Sequence, residues 1–401
     1  MTAPSTQHFL LITYEYPPVG GGTGKAVQAT ARELARMGVE VTILTSRFRG
    51  QPAESRDDGA RVLRLPVLRR HLNYATALEV LSFALSGWWA ARGLSLRLSP
   101  DLTVAYFTIP CGVVAARIAR LGGRPFVTFL RGQDVPGYPE TPPWMHVLAW
   151  PLTRRLWRRS AAIIANSRWL AELARQADGN LRPSVVANGV DLERYRPNVE
   201  REARANGGPR FLYVGRLIRS KRLRELLEAW RRLQGGRRAS WELHLVGFGP
   251  ERRRLEQIVR QGGLEATVLL RGRLEEPSLV EALQEADVFV NPSAGEGLPN
   301  AVLEAMACGL PLVLSDIGPH RELVEAGAGA LLCDTTRPEA LAEGLIALGE
   351  DPERRARLGR ASRAAAESAF GWPAVARRLM ELLASTSRGM RSEASGRRQP
   401  P

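Results

Sequence analysis

Two carboxylates eight residues apart and two cations five residues apart are the side chains here best spaced to do chemistry. The carboxylates, Glu296 and Glu304, lie in ADVFVNPSAGEGLPNAVLEAMACGLPLVLSD, residues 286–316. The pattern puts Glu296 in a loop after an apolar run and Glu304 about one turn inside a helix opened by Pro299-Asn300. Gly309 and Pro311 end that helix. The amides of Gly297, Leu298 and Asn300, with the helix dipole, favour an anion there. Carboxylates aimed at one ligand suit hydroxyl groups, as on a ribose or a sugar. The same two residues would equally serve as partners of the helix dipole.

The cations, Arg216 and Lys221, stand in RFLYVGRLIRSKRLRELLEAW, residues 210–230. A strand, Gly215, Arg216 and a short loop precede Ser220, read as an N-cap, with Lys221 on the helix. Two cations at a strand's carboxyl end can clamp a diphosphate; a solvated basic turn is the plainer reading. LHLVGFGPERRRLEQIV sets Gly247, Gly249 and Pro250 after another strand, and VLLRGRL sets Gly272 after a third. Glycine at such ends permits close backbone approach, as a nucleobase pocket needs.

A fifth segment, PPVGGGTGKA, joins HFLLITYEY to VQATARELARMG and imitates a phosphate loop. The strict pattern fails, because Val19 stands where its first glycine belongs and Ala26 offers no hydroxyl to a metal. Gly20, Gly21 and Gly22 still leave bare backbone at a strand end, with Lys25 one turn on.

These segments need strands to carry them. Short β-rich runs alternate with helical patterns throughout, which predicts parallel sheets covered by helices. The expected strands are 9–14, 39–45, 62–65, 102–106, 126–130, 161–165 and 184–187, then 211–214, 242–246, 268–270, 288–290, 312–314 and 330–332. DLERYRPNVEREARANGGPR between the two sets has linker composition. The fold class is therefore α/β, with two doubly wound domains whose chemistry lies in loops beyond the strands' carboxyl ends. STSRGMRSEASGRRQPP, from Ser385, reads as a disordered tail.

Composition narrows the function. The net charge is +15, from 56 basic and 41 acidic residues, and the only lysines are Lys25 and Lys221. A compact ammonium is the usual point charge of phosphate loops. A basic balance fits nucleic acid, a membrane surface or anionic small substrates. No zinc-finger spacing, aromatic RNA-binding motif or basic recognition helix supports nucleic acid. The three cysteines, Cys111, Cys308 and Cys333, read as reduced core thiols of a cytoplasmic protein. No apolar run reaches the roughly 18 residues of a spanning helix, and no secretory signal opens the chain.

Together the motifs carry a resemblance. The order G-R-x(4)-K, G-x-G-P, then E-G-L-P-N-A-x-L-E-A-M-A-C-G-L-P-L-V is similar to the donor-binding half of the retaining family 4 (group 1) glycosyltransferases. YEYPPVGGGTGKAVQATARELARMGVEVTILT resembles that family's first strand, glycine loop and helix, and VVANGVDLERYRP its N-G-V-D element. The resemblance implies the GT-B fold, two facing Rossmann-like domains with a cleft between them. It implies an acceptor-side domain at 1–190, a nucleotide-sugar domain at 191–371, a helix at 372–384 returning to the first domain, and the tail at 385–401.

By the same resemblance, Arg216 and Lys221 neutralise the departing diphosphate, Glu296 holds the donor sugar and Glu304 the ribose. Gly20, Gly21, Gly22, Gly215, Gly247, Gly272, Arg273, Leu274, Gly297, Leu298, Pro299 and Asn300 then line the donor. The implied reaction moves a sugar from a nucleotide diphosphate sugar to a glycan or lipid-linked acceptor, with retention and without a metal or other cofactor. No D-x-D triplet is present, and the five histidines form no ligand cluster.

One position departs from the family. Where many relatives read H-G-x-D, this chain reads Arg131-Gly132-Gln133-Asp134. A guanidinium is no base at neutral pH, so Arg131 is expected to meet an anionic acceptor, the diphosphate or Asp134. Arg131, Asp134 and Lys25 are the acceptor-side candidates. PPWMHVLAWPLTRRLWRRSAA, residues 142–162, mixes Trp144, Trp150 and Trp157 with Arg154, Arg155, Arg158 and Arg159. That mixture suits a helix lying on an anionic membrane, here the inner face of the cell membrane, or a core helix with one solvated basic face. A nucleotide-sugar epimerase or hydrolase, or a non-catalytic sugar-nucleotide binder, are the competing readings.

Overall fold

A strand covered by helices on both faces has no wet side, so it reads as an unbroken apolar run. HFLLI, LTVAY and FVTFL come close to that, each with one polar residue (His8, Thr103 and Thr128), and all three are buried along their whole length. The computed structural model describes residues 7–72, 74–198, 207–234 and 236–396. It divides into two units, Met1–Asn188 with Trp372–Pro401, and Gly189–Gly371.

The first unit holds strands β1 (His8–Ile12), β2 (Glu40–Ser46), β3 (Glu54–Asp57), β4 (Ala60–Leu65), β5 (Leu102–Tyr106), β6 (Phe126–Leu130), β7 (Ala162–Ala165) and β8 (Ser184–Val185). They form one sheet in the order β3-β4-β2-β1-β5-β6-β7-β8. Every pairing is parallel except β3 with β4. The connecting helices are α1 (Gly22–Arg36), α2 (Ala77–Leu98), α3 (Val113–Gly122), α4 (Pro143–Arg159) and α5 (Arg168–Ala177). The period of two along β1 feeds two cores. Phe9 and Leu11 meet Val27 and Leu34 of α1, while Leu10 and Ile12 meet Phe83 of α2 and Val114 of α3.

Strand β3 was not expected. Its four residues, ESRD, carry no apolar signal, and the edge position needs none. Asp58 and Gly59 both adopt positive φ, 45° and 86°, so the Asp-Gly pair is a tight hairpin turn. Arg61 then forks across the hairpin to Glu54, with Nε to Oε1 at 2.6 Å and Nη2 to Oε2 at 3.0 Å. The Asp-Gly dipeptide was the signal available in the sequence.

The second unit holds β9 (Arg210–Val214), β10 (Glu242–Val246), β11 (Val268–Gly272), β12 (Val288–Asn291), β13 (Leu312–Ser315) and β14 (Ala330–Cys333). All are parallel, in the order β11-β10-β9-β12-β13-β14. Helices α6 (Leu223–Arg232), α7 (Arg252–Gln261), α8 (Glu276–Glu285), α9 (Asn300–Ala307), α10 (Gly318–Glu325), α11 (Pro338–Gly349) and α12 (Pro352–Ala365) cover it. The N-cap reading of Ser220 expected Lys221 on α6, and it is not there. It closes a single tight turn over 219–221, and Arg222, at φ 50°, starts the helix anew.

Helix α13 (Trp372–Gly396) belongs to the first unit. Trp372, Val375, Leu379 and Leu383 enter the core shared by β1 and α1. The helix runs through Ser385, where a disordered tail was expected. The hydroxyls of Ser385 and Thr386 each donate to Leu382 O at 2.8 Å, which lets these polar residues continue the helix. Residues 397–401 of that tail, and 199–206 of the expected linker, lie outside the described residues.

Candidate active site

Where strand order reverses, neighbouring loops leave in opposite directions and open a crevice at the carboxyl edge of the sheet. In the second unit β9 is the reversal point, between β10 and β12. The loop after β9 carries Lys221 and the loop after β12 carries Glu296. Lys221 Nζ donates to Glu296 Oε1 at 2.7 Å, with the two residues only 7% and 8% exposed. Ser293 Oγ lies 2.7 Å from the same oxygen and Asn291 Nδ2 3.4 Å from it. The amide of Ala294 donates to Ser220 O at 2.7 Å, so the two loops are also joined through backbone.

The pair rests on a buried imidazole. His320 Nδ1 lies 2.9 Å from Ser315 O, and Ser315 Oγ donates in turn to Ser293 O at 2.6 Å. Nδ1 therefore carries the proton, and the buried Nε2 has no hydrogen-bond partner. Burial pushes the His320 pKa down to about 4; Glu296 opposes that shift and Lys221 adds to it. The ring is neutral at pH 7. The sequence reading passed over His320 because it sought histidines in metal-ligand spacing.

Arg216 is exposed at the start of the same loop, where its carbonyl accepts from Tyr213 Oη at 2.9 Å. Glu304 is half-buried, one turn into α9, whose N-terminus is flanked by buried Gly297, Leu298 and Pro299, with Asn300 as the first helical residue. Tyr195, also not singled out from sequence, has its hydroxyl pKa raised by burial first and then by the Glu304 carboxylate. Its hydroxyl donates to Glu276 Oε1 at 3.4 Å.

The glycines at 247 and 249 have a local reason. Their φ angles are 145° and 157°, and a Cβ would come within 1.8 Å of Gly215 O and 2.3 Å of Leu217 O. The close approach they permit is to the chain's own β9 loop. Gly215 N donates to Val246 O at 3.0 Å, Leu217 N to Phe248 O at 2.8 Å and Gly247 N to Gly272 O at 2.7 Å. Three successive strand ends are thereby laced together beneath Arg216 and Lys221. Beyond Gly272, Arg273 sits over the Phe248 ring at 5.8 Å and Leu274 is half-buried.

In the first unit the reversal lies at β1, between β2 and β5. The glycine turn leaves β1 with Gly21 and Gly22 exposed, and Lys25 is exposed on α1. Gly20 N donates to Leu72 O at 2.7 Å. At the end of β6, Asp134 accepts from Thr108 N at 2.8 Å, Thr108 Oγ1 at 3.0 Å, Arg131 N at 2.9 Å and Gly132 N at 3.2 Å. Its carboxylate thus shapes the loop. Arg131 reaches past it, with Nη1 donating to Asn188 Oδ1 at 2.9 Å.

Residues 196–365 match the family model "Glycosyl transferases group 1", and residues 20–194 match "Glycosyltransferase Family 4". The D-inositol 3-phosphate glycosyltransferase of Frankia alni is 30% identical over 404 residues, covering 90% of this chain and 94% of that protein. The chain is a group 1 glycosyltransferase. A Bacillus subtilis glycosyltransferase assigned to teichuronic acid biosynthesis, TuaC, is 29% identical over 77% of this chain and 81% of its own length. The fold is that of the solved sucrose-phosphate synthase from Thermosynechococcus elongatus, with a TM-score of 0.82 at 23% identity over 94% and 98% of the two chains.

In this glycosyltransferase, folding brings Lys221 and Glu296 into contact across 75 residues of sequence. Arg216 and Glu304 belong to the same carboxyl edge. Arg131 and Asp134 share the loop after β6 of the other unit, and the Gly20–Gly22 turn leaves the reversal strand β1, with β5 between the two.

Proposed function

We propose that this glycosyltransferase moves a sugar from a nucleotide diphosphate sugar to a hydroxyl of a cell-envelope glycan or lipid-linked acceptor, with retention and without a metal. The contact between Lys221 and Glu296 carries the reading. It supports a site where an ammonium stands beside the carboxylate that would hold the sugar's hydroxyls, as a departing diphosphate requires. The teichuronic acid relative supports a glycan acceptor of the cell envelope.

In the proposed step the bond from the anomeric carbon to the phosphate oxygen breaks. The acceptor oxygen bonds to the same face of that carbon, and the acceptor's proton passes to the leaving phosphate. Charge grows on the diphosphate, so Lys221 and Arg216 act as the oxyanion hole of this reaction. Glu296 positions the sugar and Glu304 the ribose. A thermal-shift screen against UDP-, GDP-, ADP- and dTDP-sugars identifies the donor. A ligand at 100 times its Kd adds about 2.7 kcal/mol of stability. Lys221→Ala or Arg216→Ala is expected to raise the barrier by roughly 2–4 kcal/mol. Activity within threefold of wild type in either variant would overturn the assignment, and loss of turnover in EDTA would overturn metal independence.

The site of action is proposed to be the cytoplasmic face of an anionic membrane. Among the described residues no helix is long and apolar enough to cross one. Support comes from α4, where Trp144, Met145, Val147, Leu148 and Leu152 are exposed, followed by exposed Arg154, Arg155, Arg158 and Arg159. Of the three tryptophans weighed for the membrane face, one is core and a second is half-buried against it. Trp157 is buried and donates Nε1 to Thr108 Oγ1 at 2.8 Å, and Trp150 packs edge-on against it at 5.8 Å. Arg154 and Arg158 also bridge to Asp178. Cosedimentation with anionic vesicles should therefore fall with salt and with Trp144→Ala plus Leu148→Ala; no binding at low salt would refute the membrane contact.

A further inference from the structure

The turn VDLERYRP, residues 190–197, continues the N-G-V-D element, to which the proposed chemistry gives no role. Part of its backbone is tied locally. Val190 N donates to Phe370 O at 2.7 Å, Tyr195 N to Asp191 O at 2.9 Å and Arg194 N to Asp191 Oδ1 at 3.1 Å. The carbonyls of Leu192 and Tyr195 turn instead to one side chain, Arg363 of α12. Its Nη1 donates to Tyr195 O at 2.9 Å, and Nη1 and Nη2 each lie 3.4 Å from Leu192 O.

The same guanidinium reaches a third piece of chain, the end of α9. There Cys308 N donates to Glu304 O at 3.0 Å, Gly309 N to Met306 O at 2.9 Å and Leu310 N to Ala305 O at 3.0 Å. Ala307 O, the last carbonyl of the helix, gets nothing from the residue four on, because Pro311 has no N–H. Arg363 Nη1 takes that carbonyl at 2.6 Å, and a cation at this end also suits the helix dipole. Nε pairs with Glu367 at 2.6 Å, which fixes the plane of the fork. Two glycines let the pieces meet. A Cβ on Gly359 of α12 would lie 2.3 Å from Gly309 O, and one on Gly309 would lie 3.1 Å from Pro197 Cγ. Glu304 stands three residues before Ala307 in a helix of eight, so moving the helix end moves that carboxylate.

We propose that Arg363 is a positioning residue for donor binding. By fastening the end of α9 to the 190–197 turn, it sets where the Glu304 carboxylate stands and so how tightly a ribose is held. The role in donor binding rests on the reading of Glu304 as the ribose ligand; the fastening itself does not. A planar fork holds several carbonyls in one fixed geometry, which a lone ammonium does not.

The test is calorimetric titration of the full chain with UDP, GDP and ADP, each beside its 2′-deoxy form. Wild type, Arg363→Met, Arg363→Lys, Glu304→Gln and the double variant Arg363→Met with Glu304→Gln are compared. Wild type should prefer the ribo form of its nucleotide about tenfold, the worth of one hydrogen bond to a charged group. Arg363→Met should cut that preference to about threefold or less while binding the deoxy form within about twofold of wild type. Arg363→Lys, which keeps the charge and loses the fork, should fall between and guards against a variant that misfolds. The double variant should be no worse than Glu304→Gln alone, because both changes remove the same contact. A full ribo preference in Arg363→Met, or equal weakening of both forms as a merely structural arginine would give, overturns the proposal. Failure of the ribose reading shows separately, as a wild type that does not distinguish the two forms, and it takes the role in donor binding with it. Hydrogen exchange tests the fastening without any nucleotide. The amides of Tyr195, Cys308, Gly309 and Leu310 should exchange faster together in Arg363→Met, and unchanged protection would overturn the fastening.

Discussion

Lys221 and Glu296 are each other's counter-charge as well as the proposed chemistry, so the residue scale has two readouts. Removing one partner of a buried pair strands the other, at a cost of about 3–5 kcal/mol, while removing both for apolar groups is far milder. Lys221→Met should therefore destabilise the fold in urea by about that amount, and Lys221→Met with Glu296→Leu should recover most of it while staying inactive. Equal loss in the single and double variants would show that the pair is not coupled. His320 gives the pair a pH dependence. Its folded pKa of about 4 lies below the ordinary 6.5, so its contribution is present above pH 6.5 and is lost as pH falls towards 4. The loss is about 3 kcal/mol at 1.36 kcal/mol per unit. His320→Asn, which retains a donor for Ser315 O, should flatten the stability profile between pH 6.5 and 4. A profile unchanged from wild type would remove His320 from the account.

At the scale of elements, geometry is set where loops touch. Gly247→Ala would drive a Cβ to 1.8 Å from Gly215 O at a φ of 145°. It should cost about 2–3 kcal/mol, and a displaced β9 loop should weaken nucleotide-sugar binding as well; unchanged melting and affinity would contradict this. Helix α2 makes a second case. Burial alone would raise the Glu79 pKa, but hydrogen bonds from Thr76, Arg70 and His71 hold it at about 2. That support is present above the ordinary 4.5 and fades as pH falls from there to about 2. Glu79→Gln should destabilise the chain at pH 7 by about 1–2 kcal/mol and show little difference from wild type near pH 2. The element scale also marks what pattern reading missed. β3 has polar residues at an edge, so only its Asp-Gly turn betrays it. Lys221 falls on a separate tight turn because Arg222 turns left-handed between it and α6, which side-chain periodicity does not reveal.

For the whole molecule, the chain's return through α13 is the decisive connection. Trp372, Val375, Leu379 and Leu383 of this helix are buried against a sheet whose strands all come from the first half of the chain. Four such side chains contribute roughly 6–12 kcal/mol as an upper bound, which matches the whole stability of a typical domain. Truncation after Gly371 should therefore leave residues 1–188 unfolded while residues 189–371 remain protease-resistant; a truncated chain with two resistant units would refute this. The sequence alone determined the alternating strands and helices, the two parallel sheets and the glycosyltransferase motifs, because apolar runs, glycine turns and short spacings are local properties. It did not determine that Lys221 meets Glu296, that Trp157 is core, or that Gly247 packs on Gly215. Those depend on which loops leave the sheet side by side, and strand order is decided only when the whole chain packs.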